Sequence, residues 1–254
     1  MVKRKKTPMD TLTPEETRKT LGPNLSFAAS EAYKLLRTNL TFSLPDKFGC
    51  KVIGVTSALR GEGKSTTSIN TAYTMAQTGQ RVLLLEADLR LPNLAKQLRI
   101  PSKPGLSNLL VGQCSGNEVL QDSGLLPNLK VITAGDIPPN PAELLGTNQM
   151  AATIRTLAEI FDIIIIDLPP ITAVTDALVV SKLLDGMILV VRQDYCLQKD
   201  LAEVVRLLKF SETKILGFVM TGSNIQDKNF KRYGKNGKYG YYGNESSGGK
   251  SSHK

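Results

Sequence analysis

Tryptophan is absent from these 254 residues, and histidine occurs once, at His253. A lone histidine beside a terminus leaves no basis for a histidine-built metal centre or a histidine general base. The three cysteines, Cys50, Cys114 and Cys196, have neither metal-ligand nor disulfide spacing, which suits a reducing compartment. No apolar run approaches the roughly 18 residues of a membrane span, and no apolar stretch follows the basic start, so neither a span nor a signal peptide is expected. Hydrophobic residues make up 41% of the chain, enough for one sizeable core.

The net charge of +9 is unevenly placed. Lys3, Arg4, Lys5 and Lys6 contribute +4, and residues 228–254 contribute +6 from seven basic residues and Glu245. Residues 7–227 therefore carry −1. The body is not a basic protein, but its two ends are. Such ends can lie on anionic lipid, nucleic acid or an acidic partner, or can serve solubility alone.

What is present centres on residues 52–68, VIGVTSALRGEGKSTTS. A β-branched run, Val52 to Val55, predicts a buried strand. It enters a glycine-rich turn that opens into a helix carrying Lys64, Ser65 and Thr66 in its first turn. Strand, turn and helix in that order make a phosphate-binding loop. Gly61 and Gly63 let backbone N–H groups converge on phosphate oxygens, and the helix N-terminus adds its field and its unpaired donors. Lys64 can reach the outer phosphates, and the Ser65 hydroxyl can ligate Mg²⁺. The common pattern has glycine at position 58, where this chain has Ala58.

Residues 1–25 are polar and broken by prolines, an extended arm. A helix is predicted from Ser26, with Phe27, Ala28, Ala32, Tyr33, Leu35, Leu36 and Leu40 as its apolar stripe and Pro45 as its bound. Glu31, Lys34 and Arg37 recur every three residues on another side, either as solvent-facing pairs or as a charged contact face. A second buried strand, Val82–Leu85, ends in Glu86-Ala87-Asp88-Leu89-Arg90. Two acids past the carboxyl end of a strand, beside a triphosphate, imply a metal ion or a transferable proton. The 93–128 stretch predicts short helices, and Leu129–Ile132 a strand running into a stiff Pro138–Pro141 loop, with Pro141 placed to open a helix. After an amphipathic helix at 149–160 come four isoleucines, 163–166, and Asp167. An acid directly after so apolar a strand needs a partner or a metal. Further strands at 187–191 and 215–220 flank a helix at 201–208. The alternation predicts an α/β, P-loop NTPase-like, three-layer fold: a mostly parallel central sheet between helices, over residues 26–222.

From residue 223 the character changes. The segment 223–254 is glycine- and lysine-rich, lacks apolar periodicity and carries Tyr233, Tyr239, Tyr241 and Tyr242. It cannot bury enough surface to order itself. Its tyrosines suit base stacking in a single-strand binder or service as phosphoryl acceptors, and composition leaves both open.

Together the phosphate loop, EADLR, IIIIDLPP and the tyrosine tail resemble the bacterial protein-tyrosine kinases that govern capsule and exopolysaccharide production, in their free-standing cytoplasmic form. The resemblance implies ATP binding by Ser57, Arg60, Gly61, Glu62, Gly63, Lys64, Ser65 and Thr66. It implies Mg²⁺ held by Ser65, Asp88 and Asp167, catalysis by Lys64, Glu86, Asp88 and Asp167, and a second-sphere or substrate contact at Arg90. Glu31, Lys34 and Arg37 fall on its subunit-contact motif, and the tyrosine cluster on its autophosphorylation sites. Implied partners are further copies in a ring, the cytoplasmic segment of a membrane chain-length regulator that activates and recruits the kinase, and a cognate tyrosine phosphatase. Nucleic acid is not among them. The implied location is the cytoplasm, at the inner face of the cell membrane.

Three positions depart from that family. Glu86 stands for the usual aspartate and adds a methylene, roughly 1.5 Å of reach at a geometry-dependent step. Lys34 stands for an arginine and gives up bidentate pairing. Thr221 stands where an adenine-contacting asparagine is expected. Leu59 replaces the lysine of septum-positioning and plasmid-partition ATPases and so speaks against their function. The competing reading is nevertheless an ATPase switch of that kind, without kinase activity, whose basic tail binds membrane or nucleic acid.

Overall fold

A computed structural model of the protein describes residues 20–44 and 49–222. The tyrosine cluster 233–242, Pro45 and residues 1–19 of the arm lie outside the described residues.

Among the described residues seven strands form one sheet: β1 (Lys51–Ser57), β2 (Val82–Glu86), β3 (Gln121–Asp122), β4 (Leu129–Ile132), β5 (Ile163–Asp167), β6 (Gly186–Arg192) and β7 (Ile215–Thr221). Their order is β3-β4-β2-β5-β1-β6-β7. Every pairing is parallel except β3 with β4, which is antiparallel. The two-residue β3 has no apolar pattern, so periodicity gave no warning of it.

The continuous apolar runs are explained by burial on both faces. Ile164 and Ile166 of β5 join Leu83 and Leu85 of β2 in one core, whereas Ile163 and Ile165 join Val82 and Leu84 in the other. Side chains alternate across the sheet, so four consecutive isoleucines serve two cores. Each fully buried isoleucine contributes roughly 1.5–3 kcal/mol.

On the second of these faces lie helices α1 (Phe27–Ser43), α2 (Lys64–Ala76) and α3 (Leu94–Leu98). The short α4 (Leu106–Leu110) and α5 (Gly116–Val119) pack on the other core. So do α6 (Pro141–Leu145), which opens on its proline, α7 (Asn148–Ile160), α8 (Asp176–Val180) and α9 (Gln198–Phe210). Among the described residues no helix is long and apolar enough to cross a membrane.

Helix α1 begins as expected, with the Ser26 hydroxyl accepting the Ala29 N–H. Its apolar stripe divides, however. Leu36 and Leu40 face the core, whereas Phe27 and Leu35 are 76% and 62% exposed, as is Phe42, which the stripe does not include, at 84%. The helix packs on α2 through one side, with Arg37 donating to the Thr74 carbonyl, and among the described residues Phe27, Leu35 and Phe42 on its other sides are left exposed.

Asp167 stands in register with both Val55 and Glu86. The carboxyl ends of β1, β5 and β2 therefore meet, and the loops leaving them face one another. Ligands of open α/β sheets bind at such an edge.

Candidate active site

The loop between β1 and α2 turns on two glycines. Gly61 and Gly63 have φ of +83° and +90°, the left-handed region that side chains resist. Ala58 is not in that region, so the absence of glycine there carries no backbone strain. The Ser57 hydroxyl donates to the Leu59 carbonyl at 2.7 Å and closes the start of the loop. Arg60 is exposed, and Thr66 is half-buried in the first turn of α2.

Glu62 points away from the expected phosphate position. Its carboxylate is fully buried and accepts the N–H groups of Leu59 at 2.6 Å and Arg192 at 3.2 Å. The Glu62 carbonyl accepts the Thr221 hydroxyl at 2.6 Å. The Arg192 guanidinium donates to the Gly61 carbonyl and stacks on Tyr195, whose hydroxyl donates to the Arg60 carbonyl. Thr221, at the expected adenine-contact position, thus touches the loop backbone.

Lys64 opens α2 and reaches across to two acids. Its Nζ lies 2.8 Å from Asp88 Oδ2 and 3.9 Å from Asp167 Oδ2. Burial alone would depress the Lys64 pKa, but the Asp167 and Asp88 charges outweigh it and hold the ammonium above its ordinary value. Asp167 ends β5, fully buried, and accepts the Ser68 hydroxyl at 3.0 Å through Oδ1. Its Oδ2 has no hydrogen-bond partner among the described residues. Burial pushes the Asp167 carboxyl up, opposed by Lys64 and by the Ser65 hydroxyl. Asp88 is fixed by the Leu91 N–H on Oδ1. Lys64, Ser65, Asp88 and Asp167 are therefore brought together.

Glu86 is placed otherwise. Although it ends β2 beside Asp167, its Oε1 accepts the N–H groups of Asn93 and Leu94 at 2.5 and 2.7 Å, and its Oε2 that of Ala134 at 3.1 Å. It braces the start of α3 against the end of β4 and forms no ion pair with Lys64. Burial raises its pKa from 4.5 to about 7, in spite of the amides that favour the charged form. Glu86 is also among the residues lining a cavity of about 330 Å³ with Pro92, Ala95, Lys96, Ile100 and Ser102. Arg90 turns from the loop as well, making a bidentate pair with the buried Asp176 at 2.8 and 3.0 Å. Of the three contact residues, Lys34 pairs with Glu31 at 2.7 Å. Arg37 instead donates to the Thr74 carbonyl on α2, within its own subunit.

This geometry has relatives. The family model described as an AAA domain matches residues 50–216. Tyrosine-protein kinase YwqD of Bacillus subtilis is 37% identical over 84% of this chain and 86% of its own length. Tyrosine-protein kinase CpsD of Streptococcus agalactiae is 33% identical over 82% and 90%. The kinase domain of the Escherichia coli tyrosine kinase ETK superposes with a TM-score of 0.75 at 31% identity, over 80% of this chain and 78% of that one. The chain belongs to the bacterial tyrosine-protein kinases.

Within this kinase, sequence reasoning missed the residues behind the site. Asp176, Arg192 and Tyr195 are assigned no role by the sequence analysis. Asp185 went unnoticed too, although its carboxylate accepts the Val52 N–H at 2.8 Å and anchors β1. A buried acid and arginine at strand ends are the available signal, but their partners are far apart in the chain.

Proposed function

We propose that the protein transfers the γ-phosphoryl group of ATP to tyrosine hydroxyls, including its own Tyr233, Tyr239, Tyr241 and Tyr242, in the control of capsular or extracellular polysaccharide synthesis and export. The observation that carries this reading is Lys64, held between Asp88 and Asp167 at the mouth of a glycine loop in a chain of this family. ATP phosphates would lie on the 60–66 backbone, replacing the acids as partners of Lys64. In the transfer the phenol oxygen bonds to the γ-phosphorus, the bond to the bridging oxygen breaks, and ADP leaves. The phenol proton passes to a carboxylate. Glu86, with its pKa of about 7, suits that task at neutral pH, and the cavity it lines offers the phenol its approach.

Ser65, Asp88 and Asp167 would hold Mg²⁺. The Asp167 oxygen that has no hydrogen-bond partner among the described residues, and a set of two acids, fit an ion that keeps much of its water. When bound, the ion neutralises charge on the phosphates.

The exposed Phe27, Leu35 and Phe42 flank the Glu31–Lys34 pair and support a subunit contact through α1, completing a ring. Because Arg37 is engaged within its own subunit, apolar contacts would dominate it. The cytoplasmic segment of a membrane chain-length regulator would recruit and activate the kinase, and a cognate tyrosine phosphatase would reset it.

The test is incubation with Mg·ATP and the activator segment, followed by mapping of phosphate by mass spectrometry beside a Lys64→Met control. Phosphate on 233–242 is expected, and its absence overturns the assignment. The amide bonds of Glu86 favour a second reading, an ATPase switch, which would release phosphate without forming phosphotyrosine.

A further inference from the structure

The acid in the middle of GEGKST poses a problem. A carboxylate inside a phosphate loop should repel the triphosphate. Coulomb repulsion between unit charges a few ångströms apart is worth about 1 kcal/mol even in water, and more when buried. Glu62 is nonetheless fully buried, and its side chain turns to the back of the loop. There it collects two backbone N–H groups from different elements: Leu59, within the loop, and Arg192, at the end of β6. Three further bonds reach the same loop from behind. Thr221 Oγ1 donates to the Glu62 carbonyl, Arg192 to the Gly61 carbonyl and Tyr195 to the Arg60 carbonyl. The carbonyls of three consecutive residues, 60 to 62, are thereby held by donors from the β6 and β7 ends.

That arrangement bears directly on the opposite surface of the loop. In a peptide unit the N–H and C=O point in opposite directions. Carbonyls held from behind leave the N–H groups of the following residues turned toward the front, where phosphate oxygens are to be bound. The two left-handed glycines permit this shape but do not choose it, since glycine adopts either sign of φ.

We infer that Glu62 is a positioning residue: rather than contacting phosphate, it fixes the loop amides in their phosphate-binding orientation, with Arg192 and Thr221 as its partners. The inference rests on the nucleotide-site reading of the loop. It gives Thr221, which departs from the family's asparagine, a role in loop geometry rather than in base recognition.

Charge and bracing make opposite predictions for Glu62→Gln. Were Glu62 chiefly a nearby negative charge, its neutralisation would tighten nucleotide binding. As a brace it is poorly replaced: the amide oxygen of glutamine can accept one N–H, but its NH₂ then meets the other donor to donor.

The experiment is calorimetric titration of the full chain with Mg·ADP, with steady-state kinetics in ATP alongside. Glu62→Gln is expected to weaken Mg·ADP binding and raise KM for ATP about tenfold, with kcat within about twofold. Thr221→Val, isosteric but without the donor, should weaken binding about threefold to tenfold, whereas Thr221→Ser should bind like the unmodified protein. Unchanged or tighter binding by a folded Glu62→Gln variant overturns the inference. Should that variant fail to fold, equal affinities of Thr221→Val and Thr221→Ser overturn it. A failure of the unmodified protein to bind nucleotide at all would overturn the nucleotide-site reading itself, and this inference with it.

Discussion

Replacing Lys64 with methionine, the natural way to silence the site, should also destabilise the protein. In the nucleotide-free state the Lys64 ammonium is the partner of Asp88 at 2.8 Å and stands 3.9 Å from Asp167. The three side chains are only 12%, 6% and 1% exposed. Methionine keeps the length and removes the charge, which leaves two buried carboxylates without the lysine they share. Removing one member of a buried ion pair costs about 3–5 kcal/mol. At about 2–4 °C per kcal/mol for a domain of this size, Tm should fall by about 10 °C. Asp167, whose carboxyl burial already pushes up, can escape by taking a proton, so the loss should shrink as pH falls. The assay is thermal unfolding in EDTA of the unmodified protein, Lys64→Met, Asp167→Asn and the double variant. Asp167→Asn should restore most of the lost Tm in the methionine background. Millimolar Mg²⁺ should raise the Tm of Lys64→Met more than that of the unmodified protein, because ions that bind only the folded state stabilise it. A Lys64→Met Tm within about 2 °C of the unmodified protein in EDTA would refute the reasoning, because a buried pair of this strength cannot be lost so cheaply.

Glu86→Gln should change how stability depends on pH. The folded state raises the Glu86 pKa from 4.5 to about 7, so across that interval the folded chain retains a proton that the unfolded chain has released. The contribution is present in full below pH 4.5 and is lost as pH rises through about 7, a total of about 3 kcal/mol. Urea unfolding at several pH values should therefore show the glutamine variant gaining on the unmodified protein by about that amount from acid to alkaline pH, and a pH-independent difference would contradict it. Arg90→Ala should cost about 3 kcal/mol, because Asp176 is then buried without its bidentate partner. A second change, Asp176→Asn, should recover part of the loss, and additive effects in that double-mutant cycle would show that the pair is not coupled.

Much of the sheet was legible because its strands carry their own signature. Four isoleucines in succession suit only a strand covered on both faces, and the acid that follows them marks the carboxyl edge. Lys64 and Ser65 were readable from spacing, since the helix must begin where the glycines end. Periodicity failed where it has no purchase. It identified Phe27 and Leu35 within the stripe of α1 but could not say that they would be left uncovered, because coverage depends on what packs outside the helix. Nor could it foresee that Arg37 turns to the Thr74 carbonyl and Arg90 to Asp176, since both partners come from distant parts of the chain. The direction of Glu62 was equally hidden, for a loop has no period from which to read a face.

The four acids around the phosphate loop show why position alone does not assign a role. Glu86 and Asp167 are neighbours in register, yet one is met by three backbone N–H groups and the other by hydroxyls, a lysine and an empty lone pair. Amide donors belong to the fold and cannot leave, so an acid held by them is a brace first, as Glu62 is too. A lysine can swing to a phosphate, and an oxygen without a hydrogen-bond partner among the described residues can accept an ion's water, so Asp167, and Asp88 through the Oδ2 that the Leu91 N–H does not hold, can exchange partners when ligand arrives. The extra methylene of Glu86 follows the same logic. An aspartate would stop roughly 1.5 Å short and could not reach Asn93, Leu94 and Ala134 together from the end of β2. Glu86 is thereby anchored at the end of β2, and Asp88, two residues past that end, is the carboxylate paired with Lys64.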